Sequence, residues 1–188
     1  SKNLTEIPGY LFWGCTSLTT VVIDGKENVI PEGFTAIGNC AFSGTAIVSM
    51  VIPEGVTEIG MAAFEDCTSL QSIVIPSTAT TIGTRPFQGC TALAYAEIRS
   101  PLTELPNSMF MNSGLGTVIL PETLTSVGQN ALSGTQDLFV RFKGSREQWD
   151  AVTGYKPANP KEITYYYGNE GKPEDAPVFT VQPESHIY

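Results

Sequence analysis

Residues 56–76 read VTEIGMAAFEDCTSLQSIVIP, and variants of this stretch recur along the 188-residue chain. The position of Phe64 is repeated at Phe12, Phe42, Phe87, Phe110 and Leu132. The steps between successive copies are 30, 22, 23, 23 and 22 residues. Self-similarity at a period of this length is the sequence signature of a stacked-repeat architecture.

Other columns of the repeat support this alignment. Five residues before the aromatic position lie Ile7, Ile37, Ile59, Ile82, Leu105 and Val127. At 41% hydrophobic residues, one column that is apolar in six of six copies has a chance probability of roughly half a percent. An apolar triplet follows the aromatic position and predicts a short strand whose alternate residues point inward. The triplets are Leu18-Val21-Ile23, Ile47-Met50-Ile52, Leu70-Ile73-Ile75, Leu93-Ala96-Ile98 and Leu115-Val118-Leu120.

This motif resembles the BspA-like leucine-rich repeat of bacterial surface proteins, and residues 56–76 match it almost position for position. The resemblance covers about residues 4–142. It implies a mainly β, right-handed leucine-rich-repeat solenoid with a parallel sheet. It also implies a cell-surface or secreted protein used for adhesion and binding, without a catalytic site. A parallel β-helix is the alternative fold.

The repeat pattern divides the chain into three parts. Residues 1–142 are predicted to form about six repeats, the first carrying an insertion at 24–29. Residues 143–168 are interpreted as a C-terminal cap with a short helix, a strand and Trp149 as its apolar plug, because a solenoid end needs an atypical unit. Ser145 and Gln148 have the spacing of a capping box. Residues 169–188 are interpreted as a linker or tail that pairs with the cap or begins another domain.

Composition excludes several classes of function. The chain carries 10 Lys+Arg against 19 Asp+Glu, a net charge of −9. Nucleic-acid binding needs clustered cations, and so does binding to anionic membrane surfaces. No apolar run approaches the ~18 residues of a membrane span. We therefore expect no nucleic-acid partner, no membrane insertion of this part of the protein, and a monomer.

The sequence offers little catalytic chemistry. Its one histidine, His186, lies in the tail, where its position is not fixed. Cys15, Cys67 and Cys90 share a repeat column with Thr45, Ser113 and Thr135, which predicts free thiols in a buried ladder of thiols and hydroxyls. Cys40 lies outside this column. The acids of the third copy, Glu54, Glu58, Glu65 and Asp66, are interpreted as solvated turn residues. We predict no catalytic residue, cofactor or metal site.

The outward face of the predicted sheet is the candidate binding site. Two outward rows of side chains are expected. The first row is Thr20, Ser49, Ser72, Tyr95, Thr117 and Phe139. The second row is Val22, Val51, Val74, Glu97, Ile119 and Arg141. Small and β-branched residues dominate both rows and need only a structural explanation. Residues of other kinds occupy these rows toward the C-terminal end of the sheet. Among them are Tyr and Arg, which are typical binding anchors when exposed. The predicted partner-binding residues are Tyr95, Glu97, Arg99, Phe139 and Arg141.

The family resemblance, together with the lack of catalytic residues, implies a non-enzymatic extracellular or cell-surface module that binds a protein or a glycan. One alternative is a rigid structural spacer that carries another domain. A second alternative is a carbohydrate-active enzyme with its site on the sheet, although the two rows supply only one acid, Glu97.

Overall fold

The computed structural model describes residues 4–135, 137–157 and 160–165. The predicted tail at 169–188, with His186, lies outside the described residues. The described chain is a mainly β solenoid of about six coils, in which each coil contributes short strands to parallel sheets. The fold class predicted from the repeat columns is therefore confirmed.

The strands are short because each crosses one side of a coil. In chain order they are β1 Glu6–Ile7, β2 Val22–Ile23, β3 Lys26–Glu27, β4 Ala36–Ile37, β5 Glu58–Ile59, β6 Ser72–Ile75, β7 Thr81–Ile82, β8 Tyr95–Ile98, β9 Glu104–Leu105, β10 Thr117–Leu120, β11 Ser126–Val127, β12 Phe139–Phe142, β13 Thr153–Gly154 and β14 Glu162–Tyr165. The helix α1 is Arg146–Ala151.

Two sides of the solenoid carry sheets. The front sheet is parallel and runs in the order β6, β8, β10, β12, β14. The opposite side carries a four-stranded sheet, β1-β4-β5-β7, and a three-stranded sheet, β9-β11-β13, both parallel. We call these two the back sheets. In every four-residue strand of the front sheet except β14, the alternate residues are buried.

A ladder of phenylalanine rings fills the interior between the front and back sides. Phe12, Phe42, Phe64, Phe87 and Phe110 stack in sequence with ring centroids 5.2–5.6 Å apart and interplanar angles of 8–21°. The last four are fully buried, whereas Phe12 of the first coil is partly buried. The ladder therefore spaces the first five coils almost evenly, and Leu132 takes its place in the sixth.

The backbone after each ladder position turns in the left-handed region. Two residues after the ladder position φ lies between 55° and 77°, at Gly14, Gly44, Asp66, Gly89, Asn112 and Gly134. Glycine, asparagine and aspartate are the residues that adopt this conformation at least cost. This repeat position is therefore occupied by glycine, asparagine or aspartate because the turn after the ladder requires a positive φ.

The first coil differs from the prediction. The additional residues of this coil form a β-hairpin in which β2 pairs with β3, whereas a loop was predicted at 24–29. Asn28 closes its base, since its side-chain Oδ1 accepts from the Val21 N–H at 2.8 Å and its own N–H donates to the Val21 carbonyl at 2.8 Å. Val29 then bridges to Val51, and Ile30 is fully buried.

Two assignments of the sequence analysis are therefore wrong. Ile30, not Ile23, occupies the core position equivalent to Ile52, and Ile23 is only partly buried against the core. Val29, not Val22, takes the outward position beside Val51, and Val22 is 62% exposed on the hairpin. Sequence spacing alone favoured Ile23 because it stands at the usual distance from Phe12.

The C-terminal cap covers the last coil. Ser145 and Gln148 form the predicted capping box at the start of α1. This short helix buries Trp149, whose ring packs against Phe142 at 5.4 Å. Strands β13 and β14 extend the back and front sides by one further row. The predicted short helix and strand of the cap are confirmed.

The back side is interrupted between the fourth and fifth coils. In the second, third, fourth and sixth coils a glycine N–H after the back strand donates to the previous coil, as Gly60 does to Ile37 and Gly128 to Leu105. Pro106 stands in this column and has no N–H to donate. A groove of about 400 Å³ opens there, lined by residues that include Ile82, Pro101 and Pro106.

The interruption predicts a local difference in hydrogen exchange. The N–H groups of Thr103 and Glu104 have no acceptor within the described chain, whereas Thr125 and Ser126 in the next coil donate to the Thr103 carbonyl at 2.8 and 3.1 Å. We expect Thr103 and Glu104 to exchange near the rate of unprotected amides, and Thr125 and Ser126 to be protected. NMR-detected exchange checks this, and equal protection in the two coils would contradict the interruption.

Candidate binding surface

The register of the front sheet assembles the two predicted outward rows. One row runs across the strands as Ser72, Tyr95, Thr117, Phe139 and Glu162. The next runs as Val74, Glu97, Ile119, Arg141 and Thr164. Apart from Glu162, which is exposed, these side chains are partly exposed, because their neighbours along each strand point into the core.

A third row lies just beyond the strand ends. In four of the coils the residue after the front strand is a proline, namely Pro31, Pro53, Pro76 and Pro121. The equivalent residues of the other two coils are Arg99 and Lys143, both exposed. Their backbone N–H groups continue the sheet, Arg99 donating to Ile75 at 3.0 Å and Lys143 to Leu120 at 2.9 Å. Two cations thus replace the proline that the repeat favours.

Together the three rows form a shallow trough along β10. Thr117, Ile119 and Pro121 make its floor. Longer side chains border the floor on both sides. One border consists of Tyr95 and Glu97 on β8 and of Arg99 just after that strand. The other consists of Phe139 and Arg141 on β12 and of Lys143 just after it. We call these nine residues the β10 trough. All five residues predicted from the sequence border it.

An ion-pair cluster spans the trough. Glu97 accepts from Arg99 Nη2 at 3.1 Å and from Lys143 Nζ at 3.2 Å. Lys143 stands 46 residues away in sequence and reaches Glu97 across β10. Burial alone would raise the pKa of Glu97, but the hydrogen bonds from Arg99 and Lys143 outweigh it and hold that pKa below its ordinary value. Glu97 is therefore a carboxylate at neutral pH.

The other side of the trough keeps one unneutralised cation. Within the described chain, the Arg141 side chain has no ion-pair or hydrogen-bond partner, and it is half-buried between Ile119 and Thr164. Beside it, Lys161 Nζ lies 5.0 Å from the centre of the Phe139 ring, a cation–π contact. Lys143 and Lys161 were not singled out from the sequence. The substitution of lysine for the repeat proline was the available signal for Lys143.

The acids of the third coil do not converge into a catalytic pair. Glu54 hydrogen-bonds the Ser77 hydroxyl at 2.8 Å, and this bond holds the pKa of Glu54 below its ordinary value. Glu65 pairs with Arg85 at 3.5 Å. Across residues 4–135, 137–157 and 160–165, no group of three or more His, Cys, Asp or Glu side chains could hold a metal ion.

The cysteine column is a structural ladder in the interior. Cys67 and Cys90 are free thiols and fully buried, and each donates to a ladder carbonyl, that of Phe42 at 3.0 Å and that of Phe64 at 3.1 Å. The two thiols thus donate to the previous coil, whereas the Thr45 and Ser113 hydroxyls donate to the ladder carbonyl three residues back in their own coil. Cys15 departs from the prediction, because it is exposed in the first coil.

Burial also removes the reactivity of these thiols. It raises the pKa of Cys67 to about 11 and that of Cys90 well above its ordinary value. At pH 8 this shift alone lowers the thiolate fraction of Cys67 about a hundredfold relative to a thiol of ordinary pKa. We expect iodoacetamide at pH 8 to label Cys15 quickly and to leave Cys67 and Cys90 unlabelled until urea unfolds the chain. Peptide mapping by mass spectrometry checks this, and rapid native labelling of Cys67 would contradict it.

Stacked coils of 22–23 residues with a phenylalanine ladder and a parallel front sheet define a leucine-rich-repeat solenoid. Comparison with known families finds six copies of the BspA type leucine rich repeat region, over residues 1–34 and 24–139. The chain belongs to this family.

One solved structure supports the fold, and a second shows a weaker likeness. A leucine-rich repeat protein from Bacteroides ovatus ATCC 8483 is 23% identical with a TM-score of 0.54, over 71% of this chain and 37% of that protein. A leucine rich cell surface protein from Faecalibacterium prausnitzii A2-165 is 22% identical with a TM-score of 0.36, over 81% of this chain and 61% of that protein. This chain thus spans less than two thirds of the length of each. No curated protein matches it significantly.

No helix in the described part of the chain is long and apolar enough to cross a membrane.

Proposed function

We propose that this chain is a non-enzymatic binding module of a cell-surface or secreted bacterial protein, and that the β10 trough contacts its protein or glycan partner. The observation that carries this proposal is the trough itself, which brings Tyr95, Glu97, Arg99, Phe139 and Arg141 together on one face. Membership of a family found in bacterial surface proteins supports the setting.

The trough has the properties of a preorganised binding site. Its side chains stand on strands of a continuous sheet, so their spacing is fixed before a partner arrives, which lowers the entropic cost of binding. Tyrosine and arginine are enriched among residues that dominate binding energy. Tyr95 and Phe139 lie two strands apart, so their Cα atoms are separated by about 9.6 Å across the smaller Thr117.

The arrangement of acids favours binding over hydrolysis. A glycosidase of the usual type needs two carboxyl groups about 5–9.5 Å apart. The described front sheet carries Glu97 on β8 and Glu162 on β14. These strands are separated by three spacings, or about 14 Å between Cα atoms. Glu97 is moreover engaged by Arg99 and Lys143.

The alternative is a rigid spacer. The uninterrupted front sheet and the phenylalanine ladder would suit a rod that holds another domain at a distance. A spacer has no need for a partly exposed tyrosine and a half-buried arginine without a side-chain partner on one face, and this observation favours the binding module.

A binding screen with matched variants tests the proposal. We would present the purified 188-residue chain to a glycan array and to host matrix proteins. The test variant is Tyr95→Ala/Arg141→Ala, and the control variant Ser72→Ala/Arg146→Ala also removes one arginine and one front-sheet side chain but spares the trough. We expect a partner whose affinity falls about a hundredfold in the test variant, as two binding anchors would give, and changes little in the control.

Two results would count against the proposal. A folded chain that binds nothing in either screen supports the spacer. A partner whose affinity is unchanged in the test variant places recognition outside the trough.

A further inference from the structure

The surroundings of the β10 trough are the positively charged part of an acidic chain. Arg99, Arg141 and Lys143 belong to the trough and Lys161 lies beside it, against the acids Glu97 and Glu162 on the same face. The whole chain carries a net charge of −9. A local excess of positive charge in an otherwise acidic molecule attracts an anionic group to that place alone.

The four cations differ in whether another group of the protein already pairs with them. Arg99 and Lys143 already hold Glu97, and Glu54 adds to the negative field at Arg99. Lys161 lies over the Phe139 ring. Arg141 has no partner within the described chain, although it is half-buried. Its planar guanidinium is therefore the one cation of the trough left to bind a planar anion through two hydrogen bonds.

We propose that the β10 trough binds an acidic polysaccharide through its uronic acid residues, with the uronate carboxylate on Arg141. This inference rests on the proposed function and narrows it to one ligand class. The sugar ring lies over Thr117 and Ile119, between the aromatic rings of Tyr95 and Phe139. Glu97 accepts hydrogen bonds from the sugar hydroxyl groups.

The sheet geometry favours a glycan over an acidic peptide. Strands β8, β10 and β12 each have a paired strand on both sides, so their backbone groups are occupied by the sheet. An extended peptide gains much of its affinity by adding to a free strand edge, which the trough does not offer. A glycan instead binds through hydroxyl and carboxylate groups, which the side chains of the trough can pair directly.

The charge pattern favours carboxylates over dense sulfate groups. One unneutralised arginine, two strands from Glu97 in the same row, suits a polymer with one charge per sugar and neutral hydroxyls between the charges. A heavily sulfated chain would bring several anions close to Glu97 and Glu162, and like charges at short range are unfavourable. The trough therefore fits a polyuronate.

Polygalacturonate is the probe for the test, with dextran as the neutral polysaccharide and heparin as the sulfated one. Isothermal titration of the 188-residue chain compares the wild type with Arg141→Gln and with the control Arg146→Gln, which removes the same charge from helix α1. We expect polygalacturonate binding that weakens about tenfold or more in Arg141→Gln, as the loss of a charged hydrogen bond implies. We expect the control to be unchanged, Arg141→Lys to be intermediate, and dextran not to bind.

Other outcomes overturn the inference. These are no binding of polygalacturonate, equal weakening in both glutamine variants, or tighter binding of heparin than of polygalacturonate. Circular dichroism melting of each variant verifies that it is folded. If polygalacturonate does not bind while a partner from the array screen still depends on Tyr95 and Arg141, the uronate inference is wrong and the proposed function stands. If no partner depends on these two residues, both are wrong.

Discussion

The stacking of each phenylalanine ring on the ring of the next coil is the interaction on which the rest of the structure depends. The rings from Phe12 to Phe110 keep nearly parallel planes and an almost constant spacing. That spacing brings neighbouring coils to hydrogen-bonding distance, except on the back side between the fourth and fifth coils, where the pairing is interrupted at Pro106. The outward rows of the front sheet, and hence the β10 trough, are aligned because the coils beneath them are aligned.

Columns that are filled by one kind of residue could be predicted from the sequence. The apolar and aromatic columns gave the coil length, the parallel sheet and the inward and outward positions of β6, β8, β10 and β12. These positions are strongly determined, because a shift of one residue would turn a buried side chain to solvent. The five predicted binding residues accordingly lie on one face, and their role in binding stays a prediction.

Features that break a column were harder to predict. The hairpin of the first coil displaced the core position from Ile23 to Ile30, because the side chain of Asn28 closes the hairpin base in three dimensions and leaves no periodic signal. The gap at Pro106 depends on a missing N–H that matters only when the neighbouring coil is in place. The pair of Glu97 with Lys143 joins residues on opposite sides of β10. Arg99 and Lys143 stand at positions where the repeat favours proline, and they add positive charge to the trough.

Denaturant unfolding of two phenylalanine variants tests the central role of the ladder most directly. Phe64 is fully buried between two rings, whereas Phe12 is partly buried and stacks on Phe42 alone. The account predicts that Phe64→Ala lowers the free energy of unfolding by about 3–5 kcal/mol, and that Phe12→Ala costs clearly less. A loss of less than about 1 kcal/mol for Phe64→Ala, where core truncations cost several times more, or equal losses for the two variants, would contradict it.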